Sequence, residues 1–433
     1  MFTELSFEHY KAFRGRHTLE IRPLTVLIGR NSSGKSVITR LPLLIARSLS
    51  RYVEGGIALK FDQVDFGNSF LDLIYGRSTN GSISLGATIT EGLQFTTKIQ
   101  YFDEYKLPVV VYCALTSTKN KDRPTEKIEF KITENFDPRE KKIYQVTCGE
   151  VSQEVLFDFN GILPLFKSSR SDDLRSFIQT CGDNFALPIF DSLPHLFDAI
   201  TYLGPFRDKP ERIYIAPEGN TTSIGMGGVK TPFLLADDLL RTKGKLLEKV
   251  GMWFKDYLGG WRLNIQSLSL RNEVFSIVLE KGDISVNIAD VGTGIAQVLP
   301  IVVQRQLALM AGGTQDTLEI VEQPELHLHP AAHGDIADLY MAGLNGHRRF
   351  LIETHSENFL LRIRRRIAEG QFNHQDVIIY WINDDPSEGE RIQAIHIDER
   401  GEVDKWPRGV FSEDFYEVRA IRRAQQILDE KKS

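Results

Sequence analysis

The chain reads as an α/β protein with a β-rich insert in its N-terminal half and an α/β lobe in its C-terminal half. Three observations predict this. The apolar run Leu24–Ile28 passes through Gly29-Arg30-Asn31-Ser32-Ser33-Gly34-Lys35-Ser36-Val37 into a helix-like stretch, Ser36–Ala46. Two later apolar runs, Thr317–Val321 and Phe350–Ile352, follow helix-like segments and end in polar clusters. Between 82 and 159 the chain alternates apolar and polar residues, broken by Asn, Gly and Asp, which is the period of half-buried strands.

Taken in order, residues 2–28 predict three strands: Phe2–Phe7, His17–Ile21 and Leu24–Ile28. Between the first two, Tyr10-Lys11-Ala12-Phe13-Arg14 suits either a stacking flank for a nucleotide base or an amphipathic edge turn. After Phe61–Gly67, the segments Ser82–Ile89, Leu93–Tyr101, Val109–Thr116, Ile128–Ile132, Lys142–Thr147 and Glu150–Phe159 predict an antiparallel sheet. Residues 170–198 read as mixed helix and loop. A strand at Ala199–Leu203 leads into Gly204-Pro205-Phe206-Arg207, and Leu234–Tyr257 reads as a helix broken near Gly244. Short strands follow at Leu263–Leu268, Val274–Glu280 and Ile284–Ile288. The helices Ile295–Met310 and Ala331–Leu344 alternate with the two later apolar runs. From Val377 the pattern is a strand pair and a charged helix, Glu413–Glu430. The expected division is a lobe at 1–79, a β-rich insert at 80–198 and a C-terminal lobe at 199–433 with an extension from 376. No apolar heptads are sustained, so no long coiled-coil arm is expected.

The nine residues from Gly29 fit G-x-x-x-x-G-K-[ST], a phosphate-cradling loop, and lie between strand and helix as that chemistry requires. Gly29 and Gly34 allow the backbone to turn successive N–H groups onto phosphate oxygens, and the next helix aims its positive end at the same anion. Lys35 would reach the β- and γ-phosphates, and the Ser36 hydroxyl would ligate Mg²⁺. At the second station, Thr317–Val321 runs into Glu322-Gln323-Pro324-Glu325. Glu322 suits the Mg²⁺ shell, Gln323 can orient a water without accepting its proton, and Glu325 could act as the base. At the third, Phe350–Ile352 runs into Glu353-Thr354-His355-Ser356, and His355 can sense a γ-phosphate by hydrogen bonding.

Bulk properties narrow the class. The chain has 433 residues, 25% charged and 42% hydrophobic, with a formal charge of −6, which argues against a general nucleic-acid coat. Cys113, Cys148 and Cys181 are not in metal spacing and suit reduced thiols. No apolar run of membrane-spanning length stands out, and Met1–Leu5 lack a basic flank, so a cytoplasmic location and no membrane partner are expected.

As a set these motifs resemble the bacterial ABC-type ATPases of the SMC/RecF/OLD-like group. The chain is most similar to an AAA subgroup with a short C-terminal domain of unknown function and no Toprim nuclease domain. The carrying stretches are Leu5-Ser6-Phe7 with Phe13, and the segments 29–36, 202–207, 290–300, 322–330, 353–367 and 406–411. The likeness spans nearly the whole chain and is weakest over 80–198. It implies the architecture of an ABC/SMC-like head, with ATP and Mg²⁺ as cofactors. Asp290 to Gln297 looks like the signature loop, whose Gly292, Thr293 and Gly294 backbone would bind the γ-phosphate held by a second subunit. Gln63 is a candidate for the glutamine that, in such proteins, links γ-phosphate to the arm. The resemblance therefore implies a homodimer or higher homo-oligomer through composite ATP sites. Glu322 stands where the wider group has aspartate, Gln323 where it has the catalytic glutamate and Gly292 where it has serine, which implies slow hydrolysis.

Two clusters keep two readings each. His327, His329 and His333 have metal-ligand character but lie in the stretch that the family uses at its dimer-facing loop. Arg362, Arg364, Arg365 and Arg366, with Arg348 and Arg349, suit a salt-bridged face or a contact with nucleic acid or an acidic partner. The implied function is a slow ATP-driven switch controlling a separately encoded, nuclease-like effector in anti-phage defence. The alternatives are a free-standing RecF/SMC-type repair ATPase or an OLD-like nuclease component. Only 78 residues follow His355, and Asp384-Asp385 is a poor substitute for a nuclease centre.

Overall fold

The computed structural model describes residues 1–49, 56–61, 64–89, 92–117, 126–133, 136–140, 142–164, 177, 195, 199–269, 273–313, 315–344, 346–384, 389–407, 419–423 and 425. The chain opens with strands β1 (Phe2–Glu8), β2 (His17–Glu20) and β3 (Leu24–Gly29), followed after two helices by the short pair β4 (Lys60–Phe61) and β5 (Val64–Asp65). Six longer strands come next: β6 (Ser82–Ile89), β7 (Leu93–Phe102), β8 (Leu107–Ser117), β9 (Glu126–Ile132), β10 (Lys142–Cys148) and β11 (Val151–Phe157). Then come β12 (Phe159–Asn160), β13 (Leu163–Pro164), β14 (Ile200–Leu203), β15 (Tyr214–Ile215), β16 (Arg262–Ser267), β17 (Val274–Lys281) and β18 (Ile284–Asn287). The last four are β19 (Thr317–Glu322), β20 (Arg348–Glu353), β21 (Val377–Ile382) and β22 (Ile392–Ile395).

A six-stranded sheet in the order β14-β19-β20-β3-β21-β22 positions the site. Its first five strands pair in parallel and β22 closes the edge antiparallel. The strand β3 is buried from Leu24 to Ile28, as a central parallel strand covered on both faces must be. Alternate residues feed two cores. Leu24, Val26 and Ile28 join Phe350, Ile352, Ile379 and Trp381 on one face; Leu27 joins Leu351, Ile378 and Tyr380 on the other. The first core is closed by the C-terminal helices, and the second by an eight-stranded antiparallel sheet, β11-β10-β9-β8-β7-β6-β1-β2. That sheet runs continuously across residue 80, because β1 pairs with β6 from Phe2–Ile89 to Glu8–Ser84.

The helix expected at 36–46 is two helices, Lys35–Thr39 and Leu41–Ser48. Pro42 supplies no N–H and its ring cannot share space with the carbonyl four residues earlier, so the chain turns at Arg40 and starts again. The break near Gly244 is present: Gly244 takes φ 75° between the helices Thr231–Arg241 and Lys245–Tyr257. The Thr293–Ala311 helix is long and apolar enough to cross a membrane by length and composition, contrary to the expectation of no such run. Here it is a core helix, with Val298, Leu299, Ile301, Val302 and Val303 buried against the fold. The readings for 170–198 and most of Glu413–Glu430 lie outside the described residues; 419–423 are helical.

Candidate nucleotide site

The glycine loop hangs from the end of β3. Gly34 takes φ 105° as it caps the Lys35–Thr39 helix, a left-handed conformation that L side chains resist. Gly29 is closed in differently: a Cβ there would lie 2.5 Å from the Ile382 carbonyl oxygen. The ring of Phe13 packs directly beneath Gly34, 3.0 Å from where its Cβ would stand. Phe13 and Tyr10 are both fully buried, so neither stacks on a base; this stretch is the floor of the loop. Arg391, at the start of β22, supports the loop by donating to the Ser33 and Asn383 carbonyls and lying over the Phe13 ring.

The polar atoms of the loop are arranged as follows. Lys35 Nζ donates to the Gly29 and Arg30 carbonyls at 2.9 and 2.6 Å, folded back within the loop, and burial lowers its pKa. Ser33 Oγ is buried with no hydrogen-bond partner, a cost that an acceptor such as a phosphate oxygen would remove. Arg30 points outward beside Asp384, 3.7 Å away.

The acidic stations divide differently from the expectation. Glu322, assigned to the Mg²⁺ shell from sequence, is held by Arg40 in a two-pronged pair at 2.7 and 2.8 Å and by the Tyr202 hydroxyl at 2.9 Å. The carboxylate that meets Ser36 Oγ is Glu353, at 2.9 and 3.1 Å, and it also accepts from Thr39 Oγ1 at 3.2 Å. Sequence reasoning assigned no role to Glu353, which stands two residues before His355. The strand pairing brings it into place: β19 and β20 run in parallel with Glu322 opposite Glu353, so two carboxylates close adjacent strand ends. Burial, then the charge of Glu322, pushes Glu353 up to about 7. An all-oxygen set of Ser36, Thr39 and Glu353 suits a hard divalent cation, so the residues present fit Mg²⁺.

Gln323 lies just beyond β19 with φ 48°, an uncommon conformation for a residue with a Cβ. Its N–H donates to the Glu353 carbonyl at 2.7 Å, and its own carbonyl accepts from Arg207. Glu325 is buried, with one oxygen accepting the His355 backbone N–H at 2.7 Å and the other without a partner. Burial raises its pKa. Partial burial, followed by the charge of Lys35, pulls His355 down to about 4, so its imidazole is neutral at ordinary pH and can donate one hydrogen bond.

The signature stretch forms the N-terminus of the Thr293–Ala311 helix, with Gly292 as its cap. Gly294 faces the 325–329 turn so closely that a Cβ would lie 2.2 Å from the His327 carbonyl oxygen, whereas nothing lies within 4 Å at Gly292. Gln297, one turn along, points inward and hydrogen-bonds the Arg207 backbone. Gln63 lies outside the described residues.

Residues 24–362 match a family model described as "AAA domain, putative AbiEii toxin, Type IV TA system". The chain belongs to this AAA_21 family. A second model, of a protein of unknown function (DUF3696), matches residues 372–420, the short C-terminal segment that the motif resemblance anticipated. No curated protein matches the chain. Among solved structures it is similar to an Smc head bound to the C-winged helix domain of ScpA, at 11% identity over 92% of this chain and 98% of that one, TM-score 0.46. It is also similar to the Smc head with an extended coiled coil from Pyrococcus furiosus, at 10% identity over 100% and 99%, TM-score 0.43. The SMC head domain from Thermotoga maritima follows, at 11% identity over 92% and 99%, TM-score 0.37.

The two sequence clusters find local partners in this AAA_21 chain. The arginine helix is a salt-bridged face: Arg362 and Arg366 meet Asp338, Arg365 and Arg366 meet Glu369, and Arg364 meets Glu402. Arg348 and Arg349 donate to the Ala308 and Ile21 carbonyls, so no open basic patch forms from these six. Among the described residues no group of three His, Cys, Asp or Glu side chains is placed to hold a metal. His329 instead caps the helix Pro330–Met341, and His333 bonds Ser356 Oγ at 2.7 Å.

Proposed function

We propose that this AAA_21 protein is a slow ATP-driven switch that closes two subunits face to face around ATP and Mg²⁺. One observation carries it: an anion cradle with an unpartnered buried Ser33 Oγ abuts a hydroxyl–carboxylate pair, Ser36 and Glu353. Lys35 swings from the loop carbonyls to the β- and γ-phosphates, and neutral His355 donates to the γ-phosphate. Ser36 and Glu353 would hold Mg²⁺, while Glu322 keeps Arg40 in place. Bound Mg²⁺ neutralises charge on the phosphate oxygens. Gln323 orients the attacking water without taking its proton, which keeps turnover low. The Gly292–Gly294 backbone at its helix N-terminus caps the γ-phosphate of a second copy.

A switch of this kind acts through another component. The family's description as a toxin of a type IV toxin–antitoxin system supports a two-component setting. The reading is therefore a cytoplasmic sensor paired with a separately encoded, nuclease-like effector in anti-phage defence. A free-standing repair ATPase is the second reading; co-purification from the native host separates the two, since only the first requires a bound effector. The nucleotide reading is tested by Lys35→Ala. ATP with Mg²⁺ raises the melting temperature of the wild type, by mass action on the folded state, and leaves the variant unmoved. Equal shifts in both proteins would refute it.

A further inference from the structure

Arg207 is 4% exposed, and its guanidinium has two nitrogens, Nε and Nη1, without partners. Burying a guanidinium with two unpaired nitrogens is costly, so what its one engaged nitrogen holds in place calls for an account. The third nitrogen, Nη2, shows what that is: it donates to the carbonyls of Glu322 and Gln323, at 3.0 and 3.1 Å. Those two carbonyls flank the peptide that turns Gln323 into its left-handed conformation, φ 48°. The backbone of Arg207 is gripped in turn by Gln297, whose Nε2 donates to the Arg207 carbonyl at 3.0 Å while its Oε1 accepts the Arg207 N–H at 3.3 Å. Gln297 stands one turn inside the helix that begins at the signature glycines.

We infer that Arg207 is a positioning residue linking the signature helix to Gln323 in the same subunit, so that a partner's nucleotide docking on Gly292–Gly294 sets the water-orienting amide. The inference rests on the composite-site reading above and adds a direction of communication to it. Contact with the partner's γ-phosphate moves the N-terminal turn of the helix; Gln297 carries that movement to the Arg207 backbone, and Nη2 carries it to the carbonyl of Gln323. Gln323 also donates its N–H to the Glu353 carbonyl at 2.7 Å, which ties it to the strand that carries the Ser36 partner, and its carbonyl accepts the Leu326 N–H at 3.2 Å.

The test compares wild type with Gln297→Met, which keeps length and loses both hydrogen bonds, and with Arg207→Lys, which keeps charge and loses the fork. Each is measured for melting temperature, for ATP-dependent dimerisation by light scattering, and for hydrolysis per subunit as protein concentration rises. Wild-type turnover per subunit climbs as dimers form. Gln297→Met is expected to dimerise with ATP yet stay near the monomer rate, a loss of up to about 10²-fold in dimer stimulation, the scale of a misplaced catalytic geometry. Arg207→Lys behaves the same way where it folds, and Gln297→Met decides where it does not. Full stimulation in Gln297→Met overturns the inference, and so does failure of that variant to dimerise, which would place Gln297 in assembly instead. A wild type whose turnover ignores concentration overturns the composite-site reading itself.

Discussion

Gly294 is the position where the signature helix leaves no room for any other residue. A Cβ built there lies 2.2 Å from the His327 carbonyl oxygen and 3.0 Å from its carbon, both backbone atoms. Carbon–oxygen contacts of this kind settle near 3.3–3.6 Å, so Gly294→Ala must part helix and turn by about 1 Å. Overpacking of this size costs about 1–3 kcal/mol. The displaced turn is closed by two hydrogen bonds, Leu326 N–H to the Gln323 carbonyl at 3.2 Å and Leu328 N–H to the Glu325 carbonyl at 3.0 Å. If that cost falls on local opening, amide exchange at Leu326 and Leu328 should quicken about 5- to 150-fold, at about 1.4 kcal/mol per tenfold. Gly292→Ala is the matched control. Its φ of −57° suits any L residue and its Cβ meets nothing within 4 Å, so exchange in the nucleotide-free protein should not change. Wild-type exchange at both leucines in Gly294→Ala would show that the turn does not lean on the helix. The contrast also bears on function: only Gly292→Ala probes the face proposed to meet a second subunit without disturbing the turn behind it.

Three further outcomes are expected. Arg305 is wholly buried, paired with Glu319 at 2.6 Å and stacked over Phe350; removing one partner, as in Glu319→Ala, should destabilise the fold by about 3–5 kcal/mol in denaturant unfolding. Glu353 sits near 7 in the folded chain and in the ordinary carboxylate range when unfolded, so the folded state holds its proton longer; stability of the nucleotide-free protein should fall as pH rises from about 4.5 through 7 and then level off. That component is worth at most about 3 kcal/mol, and Glu353→Gln should lack it in melting curves across this range. Glu325→Gln retains an oxygen for the His355 N–H while removing the charge, so ATP turnover should drop with little change in melting temperature; unchanged turnover would exclude Glu325 as the base.

Strands were legible because their burial pattern is local. The alternation in Ser82–Ile89 and the largely apolar run in β3 each state which faces are covered. The glycine loop was legible because its demands fall on backbone conformation and on residues next to one another. What stayed hidden depends on partners far along the chain. Nothing near Glu322 announces that Arg40 and Tyr202 will claim its oxygens, and nothing near Glu353 announces Ser36. The arginines of 362–366 likewise look free until Asp338 and Glu402 are brought beside them. Tyr10 and Phe13 read equally well as a flank or a turn, and the decision came from the loop that packs on top of them. Pro42 was an overlooked local signal: its missing N–H divides the helix that the apolar pattern joined.

The central place of β3 has a consequence for the order in which the protein is made. Leu24–Gly29 leaves the ribosome early, yet its two neighbours are β20 and β21, whose pairing residues begin at Phe350 and Val377. At about 5–20 residues per second, the strand waits tens of seconds for its first partner. Throughout that interval it offers four apolar residues within a stretch of five, with both edges open, the form of strand most prone to pair with another chain. The antiparallel sheet, by contrast, has all of its strands by Phe157 and can close over β1 and β2 while the rest is still being translated. Translation therefore builds the lid before the hinge pin. The nucleotide loop, tethered to the end of β3, reaches its final shape only when almost the last strand is complete.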